Sequence, residues 1–306
     1  MTSSSTYVRL PNDLLGTPPM EAGKAVMHAF LVKGDRASQQ RYCDAALNGF
    51  RDARYSFSVL GDNVLVTSIY ASEMRSLDPL ERRNGSVGEI DIAFWSIVRC
   101  TDALKEQQDR YMWLPSFMFV DSGPAMASGR EIYGYPKCVS DIVRPADDPR
   151  RAEVSVATLH FERFGPDQRA SVQPICAIRE ASGAKAPGTS SGDEQVIAGF
   201  GTLLGLEGAD GALPFPQLGI PQVMLRQYRD ATRAGMAQLK EVILVTPSAG
   251  TIGDGGALPA GLEICVHRSA SHNIRDTLGL SEVNAVTLGA WLEFDFRVGW
   301  ATRLLP

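Results

Sequence analysis

From Trp291 to Val298 the chain alternates strictly. Leu292, Phe294, Phe296 and Val298 are apolar, while Glu293, Asp295 and Arg297 between them are charged. A period of two puts successive side chains on opposite faces, so this segment reads as a strand with one face buried. Other runs agree with it. Apolar residues between Lys24 and Lys33 (AVMHAFLV) predict a mostly buried strand, and Tyr55 to Leu60, Val64 to Tyr70, Gly88 to Val98, Tyr111 to Val120, Glu153 to Phe164 and Leu239 to Thr246 predict more. Gly61-Asp62-Asn63 separates two of these runs by three residues of turn chemistry, which predicts a hairpin. Helical periodicity is confined to pieces such as Ala37 to Leu47, and no β-α-β alternation occurs. The expected class is mainly β (α+β), largely antiparallel, a barrel or a sandwich with a few peripheral helices.

The length, 306 residues, fits one large domain. The first twenty residues read as an extended arm. Residues 165–219, rich in Gly, Pro, Ala and Ser, read as a flexible insertion within that domain. A net charge of -5 with only short basic runs gives no cationic surface for a nucleic acid. Five scattered cysteines without a C-x-x-C pair suit a reducing compartment, and there is no secretory signal pattern or long apolar span. A cytoplasmic protein with no membrane or nucleic-acid partner is the expectation.

Several motifs fail their context. Gly188-Thr189-Ser190-Ser191-Gly192 has the letters of a nucleophile elbow but sits in a Pro/Gly/Ser stretch without the required strand and helix. Gly199, Gly201 and Gly205 do not have dinucleotide-binding spacing, and Asp254-Gly255-Gly256 reads as a turn. The four histidines offer no metal-ligand spacing, so neither a metal nor a cofactor is expected.

Residues 121–140, DSGPAMASGREIYGYPKCVS, carry the chemistry. Gly123-Pro124 reads as a turn, and Gly129 permits a close backbone approach. Pro136 fixes its own φ and holds Tyr135 extended, so the backbone ahead of Lys137 is stiff. Only six of the 30 basic residues are lysine, and this one lies among Tyr133, Tyr135, Pro136, Cys138 and Val139. Two accounts fit the local sequence: an amine held out of water, or a side chain that snorkels to solvent from a strand end.

In the form A-x-A-x-G-R-E-x-x-x-Y-P-K, Ala125 to Lys137 resembles the active-site segment of the acetoacetate decarboxylase-like superfamily, with Arg130, Glu131, Tyr135, Pro136 and Lys137 in register. The resemblance extends upstream to GSVGEIDIAF (Gly85–Phe94) and downstream to Gly219–Val245 and the strands from Leu262. It implies a large antiparallel, cone-like β-barrel with its pocket inside, assembled as a homo-oligomer. It further implies a Schiff base between Lys137 and a keto-acid substrate, proton transfer by Glu89, and supporting roles for Arg130 and Tyr135. The implied reaction is β-keto acid decarboxylation. An aldolase or dehydratase acting on a pyruvate-like α-keto acid, or a silent small-molecule-binding barrel, are the alternatives.

The chain also departs from that pattern. Cys138 replaces a second lysine, Lys24 and His28 stand near the place of a substrate-binding arginine, and Val64 to Tyr70 lacks the family's second glutamate. A substrate-binding role would then pass to Lys24.

Overall fold

The structure is a computed structural model that describes residues 6–8, 16–50, 54–104, 109–145, 151–181 and 221–305. One hydrogen-bonded network links 14 strands. In chain order they are β1 (Met20–Lys33), β2 (Tyr55–Val59), β3 (Asn63–Ser76), β4 (Val87–Asp102), β5 (Arg110–Val120), β6 (Lys137–Val143) and β7 (Val154–His160). They continue with β8 (Ser171–Glu180), β9 (Gln222–Arg229), β10 (Ala237–Val245), β11 (Ser248–Ala257), β12 (Leu262–Val266), β13 (Val283–Val298) and β14 (Thr302–Leu305). Among the described residues, three α-helices accompany them: α1 (Arg36–Cys43), α2 (Gly123–Tyr133) and α3 (Ile274–Leu278).

The pairings return on themselves. From β5 the ladder runs through β6, β7, β8, β12, β13, β1, β3 and β4, and β4 pairs back onto β5. Every pairing in this circuit is antiparallel except β5 with β6. Outside it, β2 pairs with β4, β11 with β13, and β9, β10 and β14 continue from β5. The predominantly β class with few helices is therefore as expected.

Three expectations need correcting. The hairpin between β2 and β3 does not form: β3 already uses one edge for β1 and the other for β4, and β2 follows β3 along that same edge of β4, at Val98–Asp102, while β5 holds the other edge. Asp254-Gly255-Gly256 lies within β11, and a Cβ at Gly255 would stand 2.9 Å from Leu292 Cδ1, so the glycine serves close strand contact rather than a turn. The stretch read as an insertion from 165 contains β8, which pairs with both β7 and β12. The remainder of that stretch, with the G-T-S-S-G segment and Gly199, Gly201 and Gly205, lies outside the described residues.

The strands at the heart of the circuit carry two different faces. Ile92, Phe94, Phe119, Phe30 and Val66 meet Val156, Ile175 and Ile264 from the opposite strands and fill the space between them. Ile90 and Cys138 pack against this cluster. Each is preceded in sequence by a residue of the other face: Glu89 before Ile90, Asp91 before Ile92, Met118 before Phe119, Lys137 before Cys138. Strand alternation thus turns those four away from the packed interior.

Candidate active site

Lys137 is positioned by a helix, a turn and the first residue of a strand. Ser122 caps α2, its Oγ accepting from the Ala125 N–H at 3.3 Å, and Pro124 sits in the first turn where no intrahelical N–H is needed. The helix was not anticipated beyond the Gly123-Pro124 turn, although Ser before Gly-Pro is a start signal. Gly134 ends it at φ 69°, donating its N–H to the Arg130 carbonyl at 3.1 Å. A Cβ there would stand 2.8 Å from Arg226 Cα, so both the left-handed backbone and the approach of β9 require glycine. Tyr135 N–H then reaches back to the Gly129 carbonyl at 3.0 Å, and Lys137 enters β6 opposite Met118. The lysine side chain lies back against the helix. A Cβ on Gly129 would be 2.6 Å from its Cδ and 3.0 Å from its Cε, so the close approach expected at Gly129 is made by the lysine arm itself.

Two acids meet this amine from β4. Glu89 and Asp91 are two residues apart, on the same face, opposite Ala71 and Ile69 of β3. Lys137 Nζ donates to Glu89 Oε1, with the two side chains only 10% and 5% exposed. Lys137 therefore does not snorkel. Asp91 Oδ1 is buried and has no hydrogen-bond partner among the described residues. Burial, reinforced by the charges of Glu89 and Asp121 and opposed by Lys137, pushes its carboxyl up to about 8. At neutral pH it is thus mostly a neutral acid carrying a proton. Asp91 was missed by sequence reasoning, although the E-x-D spacing in a strand was a legible signal. The run Val64 to Tyr70 lacks a second acid, and Glu73, further along β3, is exposed, paired with Arg75 and outside the cavity lining. The second acid is instead one alternation further along the strand of Glu89.

Tyr135 supports the amine from the other side. The Lys137 ammonium nitrogen lies 5.8 Å from its ring centroid, and its hydroxyl donates to Gln222 Oε1. Burial, with the neighbouring Tyr133, Asp91 and Glu89, holds its phenol well above the ordinary range, so it remains a donor.

These groups border a cavity of about 1130 Å³. Of the expected site residues, Lys137, Glu89 and Tyr135 line it together. Arg130 does not: its side chain is exposed and its Nη1 donates to the Lys137 carbonyl at 3.0 Å, so it fixes the backbone of the lysine rather than a ligand. Lys24 is also outside the lining. It is exposed at a bulge of β1, at φ 51°, with its N–H on Asp295 Oδ1 at 2.9 Å, and the irregular backbone turns the side chain away from the site. His28 is buried on the packed face, beside Phe30. Among the described residues, the cations lining the cavity are Lys137 and Arg226. Arg226, from β9, bonds the Glu131 carbonyl and Glu241 Oε1, each at 2.6 Å. Cys138 faces the packed interior, so the position that holds a second lysine in the family points away from the amine here. The cavity lies on the face of β4, β5 and β6 opposite the packed cluster.

The arm before β1 reaches the same cavity. Gly16 N–H donates to Ser128 Oγ at 2.9 Å, Thr17 N–H to Glu81 Oε2 at 2.6 Å, and Ser76 Oγ to the Thr17 carbonyl at 2.6 Å. Among the described residues, no group of three His, Cys, Asp or Glu is arranged to hold a metal ion, and no helix is long and apolar enough to cross a membrane.

No family model and no curated protein matches the sequence. Solved structures do match its fold. An acetoacetate decarboxylase from Legionella pneumophila superposes with a TM-score of 0.63 at 11% identity, covering 99% of this chain and 93% of that one. An acetoacetate decarboxylase-like enzyme from Sphingomonas wittichii RW1 gives 0.60 at 17% identity, covering 99% of each chain. The enduracididine biosynthesis enzyme MppR, complexed with pyruvate, gives 0.52 at 12% identity over 96% and 93%. The chain therefore has the acetoacetate decarboxylase-like fold along essentially its whole length.

Proposed function

We propose that the protein is a Schiff-base-forming lyase acting on a keto acid, with Lys137 as nucleophile and Glu89 as proton-transfer group. The observation that carries this reading is the hydrogen bond from Lys137 Nζ to Glu89 inside the cavity, with both side chains nearly buried. A free lysine amine is uncharged in only about one molecule in a few thousand at pH 7, so attack on a ketone needs a partner that takes its proton. Glu89 is within hydrogen-bond reach for that transfer.

The amine nitrogen adds to the keto carbon, and the carbonyl oxygen leaves as water, giving an iminium. In a β-keto acid the bond to the carboxylate then breaks. Its electron pair moves toward nitrogen to form an enamine, and CO2 departs. Asp91, which holds a proton at neutral pH, is placed to supply one to the enamine carbon. Water adds to the regenerated iminium, and the ketone leaves as Lys137 recovers its amine. Arg226 is the lining cation available to the substrate carboxylate, a role that sequence reasoning gave to Lys24. Decarboxylation of a β-keto acid is the leading reaction. The pyruvate bound to MppR favours an aldolase or dehydratase of a pyruvate-like acid as the second reading. The closed strand circuit supports reading the framework as the implied cone-like barrel, with a packed interior.

Sodium borohydride tests the reading. With a panel of β-keto and α-keto acids, hydride delivered to the imine carbon should leave an irreversible mass adduct on Lys137, absent from Lys137→Ala. If no keto acid in a broad panel traps there, the lyase assignment is wrong.

A further inference from the structure

The two acids stand at one edge of a sheet surface whose continuation is apolar. On one cross-strand row, Asp91 pairs with Ile69 of β3, and Ile69 pairs with Met27 of β1. On the next, Glu89 pairs with Ala71, and Ala25 of β1 pairs with Phe294 of β13. The alanines are fully covered, and they keep the sheet surface low between Glu89 and Phe294. Around them Met27, Ile69, Met74, Phe294 and Phe296 form one cluster, and all five also border the cavity. Among the described residues, no lysine or arginine lies on that stretch of the lining, because Lys24 is turned outward at its bulge and Arg226 belongs to β9. The cavity, about 1130 Å³, reaches the upper end of cavities that hold drug-sized ligands, roughly 300–1,000 Å³. A four-carbon keto acid would leave most of it to water against apolar side chains, which is unfavourable. Unbranched methionines are suited to tails of varied shape.

We propose that the substrate carries an extended alkyl or aryl group on its keto carbon, seated along Met27, Ile69, Met74, Phe294 and Phe296 while the carbonyl meets Lys137. This deepens the lyase reading and rests on it for the reacting end, but the wall itself is independent of imine formation. Apolar burial contributes along the whole tail, up to roughly fourfold in affinity for each methylene fully removed from water. Acetoacetate-sized acids are then poor ligands.

Two measurements separate this proposal from the reading beneath it. In borohydride trapping, acetoacetate, 3-oxohexanoate, 3-oxooctanoate and benzoylacetate are compared by the concentration that half-saturates the Lys137 adduct. 3-Oxooctanoate is expected to trap at a concentration at least about 30-fold lower than acetoacetate. Met27→Trp, which fills the wall, should shrink that ratio at least about tenfold. Because a ratio is read, partial loss of folded protein does not imitate the effect, and Met74→Phe provides a second, milder obstruction. Separately, the fluorescence of Trp95 and Trp300, which border the cavity, reports binding of 2-nonanone or acetone to Lys137→Ala, where no imine forms. Tight binding of 2-nonanone with little response to acetone is the expected result. Equal half-saturation across the acid series, or preference for acetoacetate, overturns the substrate class and leaves the imine chemistry standing. Absence of any Lys137 adduct together with binding of 2-nonanone defeats the lyase reading and supports the apolar wall. Absence of both defeats both.

Discussion

The two sides of strands β4, β5 and β6 differ more than any two elements of the fold. One side presents Ile90, Ile92, Phe119 and Cys138 to a continuous apolar cluster. The other presents Glu89, Asp91, Met118 and Lys137 to a cavity. Between them lies one peptide unit. The packed side is made of the contacts that stabilise the strands, and the cavity side holds charges whose burial opposes folding. The first supplies the rigidity that keeps the second in place, so chemistry and stability are carried by neighbouring residues facing opposite ways.

That division is open to experiment. The largest effect is expected from Lys137→Met, which keeps much of the side-chain volume but has no nucleophile. Turnover of any substrate that traps on the wild type should fall at least about 10³-fold, measured as kcat. On the packed side, Ile92→Ala directly behind Asp91 should cost about 3 kcal/mol by urea denaturation, while half-saturation of Lys137 trapping in the folded protein changes less than about threefold. Collapse of trapping at unchanged stability would mean that the two faces are not separable. Gly129→Ala sharpens the contrast, because its new methyl meets the lysine arm at 2.6 Å and pushes it from its bond to Glu89. Activity should fall by about 10²-fold from misplacement alone. Helix propensity favours alanine by up to about 1 kcal/mol and offsets part of the cost of parting Lys137 from Glu89, so stability should fall by less than in Ile92→Ala. A test read in pH dependence is Asp91→Asn. The folded state holds the Asp91 proton up to about pH 8, whereas an unfolded carboxyl releases it near 3.8. Parental stability therefore declines as pH rises between those values, by at most about 1.4 kcal/mol per pH unit, and levels off above them. The variant lacks this decline and should gain on the parent across that window, as read from urea midpoints at pH 5, 7 and 9.

Much of this was legible in the chain because period-two alternation marks a strand wherever one face is buried. The segment from Trp291, the run after Lys24 and the run from Tyr111 all appear as paired strands. The motif ending at Lys137 identified the amine, and the strand GSVGEIDIAF identified Glu89 as its partner. What was lost depended on information between segments. Which edge of β3 is vacant cannot be read from Gly61-Asp62-Asn63, so the hairpin was misassigned. Glycine-rich β11 has too few side chains to show a period. Lys24 looked like a recognition group until the bulge turned it outward, and Arg226 gave no local sign that β9 brings it to the cavity. Asp91 was present in a segment already singled out, but attention rested on one carboxylate rather than on the face it shares.

The lysine arm rests in the space where residue 129 has no side chain, and this ties the reach of the nucleophile to a single hydrogen atom on the helix. Any change in the length or tilt of α2 would alter how far the amine extends before a residue of β6 changes. The helix thus works as a stop for the reactive group, and variation in the segment ahead of Lys137 offers a way to retune which carbonyl it meets while the strands stay as they are.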